Sequence, residues 1–233
     1  MLFRRLFLIC LLILPTSQLL ADNIIINGTR FVYPANDREI SVELSNRASS
    51  PALAQVWIDD GDDQASPEDI NAPFIITPPV SRIEAGQGQT IRIQSVATGL
   101  PTDRESIFFL NVLDIPPSPE RADDRQNYIQ LAIRSRMKIF YRPPSLGSRE
   151  QANSRVSFSG QGTQLTIKND SPFYLTLRDF KQGGQSLTTS IHMVAPFSDK
   201  QVSVDRSLQS GATISFGSIT DFGSITEHSS QLR

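Results

Sequence analysis

Cysteine is almost absent from this chain, and its single position restricts the chemistry available to the protein. Cys10 lies within an apolar stretch near the amino terminus, residues 6–14. A chain that loses this stretch has no disulfide, no thiolate metal ligand and no cysteine nucleophile. The rest of the sequence contains no apolar run long enough to cross a membrane. We therefore expect a fold that is held together by its hydrophobic cores.

Histidine is scarce as well, which limits the catalytic sites that the sequence can form. His192 and His228 lie in separate segments without a second evident ligand, so neither a zinc site nor a Ser-His-Asp triad is indicated. The glycine-rich stretch GQGQT (86–90) lacks the spacing of a phosphate loop. The formal net charge of −2 does not favour nucleic-acid binding. We expect neither an enzyme nor a cofactor, no nucleic acid as partner and no use of ATP.

One acidic stretch, DDGDDQASPED (59–69), offers several carboxylates to a cation. It lacks the ligand alternation and the terminal glutamate of a calcium loop. A solvated acidic loop is therefore the preferred interpretation, and no metal site is predicted. The sequence leaves the function of this loop open.

Residues 1–21 are typical of a secretory signal peptide. Arg4 and Arg5 precede the apolar stretch, Pro15 ends it, and Ala21 is a small residue at the expected cleavage point. The apolar stretch is too short for a membrane span. We expect an exported protein.

Hydrophobic and polar residues alternate along most of the remaining chain, as in EISVELSN (39–46). Each alternating run is short and is bounded by Gly, Pro, Asn, Asp or Ser, a pattern typical of an all-β sandwich. The stretch RPPSLGSRE (142–150) has the composition of a domain boundary. We predict two β-sandwich domains, at 22–143 and 144–233, with Trp57 in the core of the first.

One predicted strand, at about 127–142, is long for a soluble protein. Its first half carries an apolar row, which consists of Ile129, Leu131 and Ile133. Its second half carries cations, which are Arg134, Arg136 and Lys138. Ideal pleating places the odd-numbered apolar row and Lys138 on opposite faces. The sequence leaves open whether a bulge at 134–137 reconciles them, or whether Lys138 lies past the free edge of the strand.

Five segments together resemble one family, the periplasmic chaperones of the chaperone–usher pilus pathway, or PapD-like proteins. The first four extend through the whole first domain in the family's order and spacing, whereas the second domain matches more weakly. The family often has a disulfide near the end of its second domain, and this chain lacks one. The segments are TRFVYP (29–34), TPPVSRIEAG (77–86), DRESIFFLNVLDIPP (103–117), IQLAIRSRMKIFYRP (129–143) and ITDFGS (219–224).

This resemblance implies an all-β fold of two immunoglobulin-like β-sandwich domains that are arranged as an L or a boomerang. It implies a periplasmic chaperone that binds, folds and caps pilus subunits by donor-strand complementation and delivers them to an outer-membrane usher. Pairing of free copies into a self-capped dimer is left open.

The resemblance also implies the site residues. Arg30 and Lys138, with Thr29 beside them, would bind the C-terminal carboxylate of a subunit. The hydrophobic residues of the donor strand would be Ile129, Leu131 and Ile133. An interdomain ion cluster would consist of Arg142, Asp221 and Glu105.

The alternative is an exported structural pilus subunit or adhesin. Such a subunit needs an amino-terminal extension of alternating apolar residues, and the stretch DNIIINGTRF (22–31) is too short to supply both that arm and a first strand. A sugar-binding or glycosidase β-sandwich is disfavoured, because the chain has one tryptophan and four tyrosines to offer as stacking platforms.

Overall fold

The computed structural model describes residues 24–68, 70–118 and 130–233, and its regular structure is almost entirely β-strand. The strands fall into two groups that share no sheet. The first group is β1 (Ile24–Ile26), β2 (Arg30–Pro34), β3 (Glu39–Asn46), β4 (Ala52–Asp59), β5 (Phe74–Thr77), β6 (Val80–Ile83), β7 (Gly88–Ser95), β8 (Ser106–Ile115) and β9 (Ile133–Arg142). The second is β10 (Val156–Gln161), β11 (Gln164–Asn169), β12 (Leu175–Gln182), β13 (Gln185–Thr188), β14 (His192–Val194), β15 (Ser198–Ser203), β16 (Thr213–Ile219) and β17 (Ile225–Gln231). The all-β, two-domain prediction is thus confirmed.

The first group forms a sandwich of two sheets, with strand orders β1-β3-β7-β5 and β2-β9-β8-β4-β6. Period-two alternation explains its core, since on β4 the even-numbered residues 52–58 are all buried within it. Trp57 is odd-numbered and lies half-buried on the opposite face, next to Asn111 of β8. The prediction of a core tryptophan is therefore wrong, because the alternation of β4 turns this side chain outward.

The second group forms another sandwich around its own core. One sheet has the order β10-β11-β15, and the other has the order β13-β12-β16-β17, with β14 also paired to β12. Phe158, Phe180 and Phe216 meet at the centre with ring centroids 5.2 to 6.3 Å apart. Two such separate cores allow each domain to keep its shape without disulfides.

Between the two groups the chain makes two short 3-10 helices, Pro144–Leu146 and Glu150–Arg155. The predicted division between residues 143 and 144 falls between β9 and β10, and it stays a prediction. In the described ranges, no helix has the length and apolar composition needed to cross a membrane.

The long strand predicted at about 127–142 is shorter in the structure, where β9 spans Ile133–Arg142. Residues 127–129 lie outside the described residues, and 130–132 are described but are not in a strand. The reason lies in β8, whose ladder with β9 ends at the pair Asp114–Ile133. Pro116 and Pro117 follow, and prolines have no N–H with which to extend the ladder.

Candidate functional site

The first half of β9 has an open edge. β8 pairs with β9 from Ile133 to Tyr141, but β2 covers its other edge only from Lys138 to Arg142. Among the described residues, positions 133–137 therefore have a hydrogen-bonded neighbour on one side alone. Such an edge presents unpaired backbone groups to another strand.

Ile133 of the apolar row and Lys138 lie on opposite faces of β9. The register against β8 runs without a shift from the pair Ile133–Asp114 to the pair Tyr141–Ser106. Odd-numbered residues such as Met137 pack on the core of the first domain, so even-numbered ones lie on the outer face. The bulge that the sequence left open is absent from this strand.

The predicted apolar row lies at the free end of this edge. Ile129 lies outside the described residues. Leu131 is 69 % exposed, and Ile133 is half-buried at the first position of β9. Large apolar side chains exposed beside an open strand edge are available to fill a groove in a partner.

Two cations stand where the open edge ends. Arg30, the first residue of β2, lies directly opposite Lys138 in the parallel register. Neither side chain forms an ion pair with another described residue, and the Nε of Arg30 is buried without a hydrogen-bond partner. Thr29 is exposed just before Arg30. The pair thus places two positive charges side by side, without an ion-pair partner among the described residues.

The electrostatics of this pair follow from burial and from mutual repulsion. Burial, followed by the positive charges of Arg30 and Arg136, lowers the pKa of Lys138. Burial also lowers the pKa of Arg30, against the opposing effect of Asp221. A carboxylate bound between the two cations would relieve this cost.

Arg136 lies on the same face of β9 as Lys138, but it is paired with a carboxylate. The sequence did not reveal this contact. Its Nε donates to Asp59 at 3.0 Å, its Nη2 donates to the other oxygen at 2.5 Å, and its guanidinium lies 3.7 Å from the ring centre of Phe109. Asn111 Nδ2 donates to the same carboxylate at 2.7 Å. Burial acts to raise the pKa of Asp59, but these contacts outweigh it and lower the pKa.

Asp59 also corrects the interpretation of the acidic stretch as a wholly solvated loop. It is the last residue of β4 and is only 1 % exposed, whereas Asp60, Asp62 and Asp63 are exposed. Asp69 lies outside the described residues. The described part of the chain contains no group of three or more histidine, cysteine or acidic side chains placed to hold a metal ion.

Arg142, at the end of β9, joins the two domains. Its Nε donates to Glu105 at 2.6 Å, and its Nη1 and Nη2 donate to the two oxygens of Asp221 at 2.7 and 2.9 Å. Burial acts against the charge of Arg142, but the hydrogen bonds and charges of both carboxylates outweigh it and raise its pKa. The three residues predicted to form an ion cluster are therefore brought together in the structure.

Glu105 is the deepest member of this cluster, at 2 % exposure. Its second oxygen accepts a hydrogen bond from the backbone N–H of Tyr174 at 2.8 Å, across the domain boundary. Burial raises the pKa of Glu105, even though Arg142 favours the charged form. Arg149, which sequence reasoning missed, adds its positive charge to the same region. This cluster ties the hairpin that carries Asp221 to the end of β9.

Comparison with protein families assigns both halves of the chain. Residues 23–147 match the model described as "Pili and flagellar-assembly chaperone, PapD N-terminal domain", and residues 151–230 match "Pili assembly chaperone PapD, C-terminal domain".

Individual proteins agree with these matches. The chain is 45 % identical over 198 residues to Chaperone protein MrkB of Klebsiella pneumoniae, a match that covers 84 % of this chain and 85 % of the relative. The crystal structure of the Pseudomonas aeruginosa CupB2 chaperone is similar, with a TM-score of 0.77, 35 % identity, and coverage of 90 % of this chain and all of the other. So is the SafB chaperone, solved in complex with the Salmonella enterica SafA pilin, with a TM-score of 0.76, 28 % identity and coverage of 89 % and 94 %.

Proposed function

Because the chain belongs to the PapD-like family of pilus-assembly chaperones, we propose that it is a periplasmic chaperone that captures pilus subunits, completes their fold and delivers them to an outer-membrane usher. The observation that carries the proposal is the unpaired Arg30–Lys138 pair at the end of an open strand edge. A complex of a relative with a pilin supports the choice of client.

The position of the two cations supports a parallel direction for the client strand. The vacant positions 133–137 precede Lys138, and β2 occupies the same edge beyond it in the parallel direction. A client strand that continues the position of β2 would run parallel to β9, so its last residue would meet Arg30 and Lys138. An antiparallel strand would end near Ile133 instead, about 17 Å away at roughly 3.3 Å per residue. The position of the cations therefore selects the parallel direction.

Apolar side chains and charges have different tasks in this scheme. Ile129, Leu131 and Ile133 enter the open groove of the client, each contributing at most about 1.5–3 kcal/mol. Hydrogen bonds from Arg30 and Lys138 to the terminal carboxylate add about 1.5–3 kcal/mol each. Because a chain has one carboxyl terminus, the anchor also fixes the register. Since β9 begins at Ile133 and Leu131 lies before the strand, we expect the client to extend the strand as it binds.

Capture in the cell tests this proposal. A pilus subunit is co-expressed with the wild-type protein, with Lys138→Ala or with Arg30→Ala, and soluble subunit is measured in periplasmic extracts. Either substitution is expected to remove the subunit while the chaperone stays folded. Arg134→Ala is the matched control, because Arg134 is an exposed cation on the same strand. Subunit yield that is equal in all four strains contradicts the carboxylate anchor.

The structural pilus subunit, kept above as an alternative, is not favoured, because the relatives are named as chaperones. Delivery to an usher and the periplasmic location rest on family membership. Pairing of free copies through the open edge of β9 is a further expectation, and the concentration dependence of the sedimentation coefficient tests it.

A further inference from the structure

One aromatic side chain on the surface has no role in the anchor described above. Phe222 lies in the turn between β16 and β17 and is 97 % exposed, more than any other large hydrophobic side chain in the described residues. An apolar ring that lies almost wholly in water is available for contact with a partner.

The turn that carries Phe222 is held rigidly. The backbone N–H of Gly223 donates to the Thr220 carbonyl at 3.0 Å, and the Thr220 N–H donates to the Ser224 carbonyl at 2.8 Å. The hydroxyl groups of Thr220 and Ser224 lie 2.7 Å apart. Gly223 has φ +83°, a conformation that suits glycine. A ring on such a support loses little conformational freedom when it binds.

The residues on either side of Phe222 both face the carboxylate anchor. Asp221 bonds Arg142 of the first domain, and its charge acts on Arg30. Gly223 lies against Thr29, because a side-chain carbon added to it would come within 2.9 Å of the Thr29 hydroxyl. Phe222 is therefore held next to the point where a client chain ends.

A cavity of about 220 Å³ opens beside the ring. Its lining includes Phe222, Arg149, Asn153 and His228. The lining also includes Thr220, Asp221 and Ser224 of the turn whose Gly223 lies against Thr29, so the cavity adjoins the anchor. The His228 imidazole is held by Thr226 Oγ1 at 2.8 Å and by Asn153 Nδ2 at 3.1 Å. These contacts keep the polar wall of the cavity in place.

We propose that Phe222 and this cavity receive the side chain of the client's C-terminal residue and select a large apolar one. This inference rests on the proposed function, because it takes the client's carboxylate to lie between Arg30 and Lys138. The carboxylate would then set where the chain stops, and Phe222 would discriminate among clients by their last side chain.

Short peptides of alternating valine and serine test the inference. They end in phenylalanine, alanine or aspartate, each as free carboxylate and as amide, and their affinities are measured by competition. The wild-type protein is expected to prefer the terminal phenylalanine over alanine by about tenfold. Phe222→Ala should reduce this preference to near one, and Phe222→Tyr should keep most of it. Ile191→Ala, at another exposed apolar residue of the second domain, should leave it unchanged.

The outcomes separate the two proposals. If carboxylate peptides bind better than amides while the preference for phenylalanine is the same in Phe222→Ala as in the wild type, the inference is overturned and the anchor stands. If carboxylates and amides bind alike, or if no peptide binds, the anchor is wrong and the inference falls with it. Loss of the preference in Phe222→Ala, with the carboxylate effect intact, supports both.

Discussion

Two basic residues four positions apart on one face of β9 have opposite surroundings. Arg142 contacts both Glu105 and Asp221 and ties the domains together. Lys138 lies opposite Arg30, another cation, and neither forms an ion pair within the described residues. Nearer the start of the strand, Arg136 is again paired, with Asp59.

This difference separates a structural charge from a binding charge. Burying a cation is unfavourable unless a carboxylate compensates for it. Arg136 and Arg142 have that compensation within the fold, so they stabilise the protein itself. Neither Lys138 nor Arg30 has an ion-pair partner among the described residues, and under the proposed function the client's carboxylate supplies it. Substitutions that remove or alter one kind of charge should therefore affect stability and binding differently.

Removing the unpaired charge should have the largest effect on binding. Lys138→Ala deletes one charge-assisted contact to the client's carboxylate, so affinity for a carboxylate-terminated subunit should fall about 10- to 150-fold. Isothermal titration calorimetry measures it. Because Lys138 has no ion-pair partner among the described residues, the urea midpoint should not fall. A fall in the midpoint with unchanged affinity would make Lys138 a structural residue.

A charge in the apolar row should block capture and leave the fold intact. Leu131→Asp places a carboxylate where the client offers an apolar groove, while Leu131 is exposed in the free protein. The free energy of unfolding should change by less than about 0.5 kcal/mol. Ile139→Asp, at a fully buried residue of β9, should unfold the first domain. Unfolding by Leu131→Asp would instead place this row in the core.

Removing a paired charge should lower stability and leave the preference for a carboxylate peptide intact. Arg142→Ala leaves Glu105 buried without its cation, and the first domain should lose about 2–3 kcal/mol of stability. Trp57, the single tryptophan of the chain, reports unfolding of this domain by fluorescence. A carboxylate peptide should still bind better than its amide. An unchanged urea midpoint would mean that the cluster does not stabilise the first domain.

The pH dependence of binding should reveal the lowered pKa of Lys138. The client's carboxylate favours the protonated amine and raises the pKa in the complex above that of the free protein. Affinity should therefore be constant below the free pKa of Lys138 and fall as pH rises through the window between the two values. This decline should begin at lower pH than an ordinary lysine would give. Lys138→Arg should remove the decline, and its persistence there would assign it to another group.

The smallest expected effect is a gain in stability. Lys138→Met removes a cation that burial and two neighbouring charges disfavour, and should stabilise the free protein by about 0.5 kcal/mol. The gain should be full below the lowered pKa of Lys138 and disappear as pH rises toward the pKa of an unfolded lysine. Urea titrations at two pH values measure it. A loss of stability would mean that Lys138 has a partner in the free protein.

Local pattern was enough to predict the fold class, because alternation specified strands and two cores. The carboxylate-binding role came instead from the family resemblance and stays a prediction for Arg30 and Lys138. Their direct opposition depends on the parallel pairing of β2 with β9, which no local pattern encodes.

The features that the sequence did not predict depend on contacts between residues that are far apart in the chain. Asp59 resembles its acidic neighbours until β4 and β9 bring it to Arg136, 77 positions away. Trp57 is hydrophobic, yet the register of β4 turns it outward. The start of β9 is set by where β8 ends, at Ile115 before two prolines.

Hydrogen exchange at the backbone amides of 133–137 tests the central claim most directly. The exchange is followed in the free protein and with a saturating peptide that copies the last strand of a pilus subunit, as carboxylate and as amide. Binding of the carboxylate form is expected to slow exchange along 133–137 and to extend protection toward Leu131, with a much weaker effect from the amide. Unchanged exchange in this segment while the peptide is bound elsewhere would contradict the account.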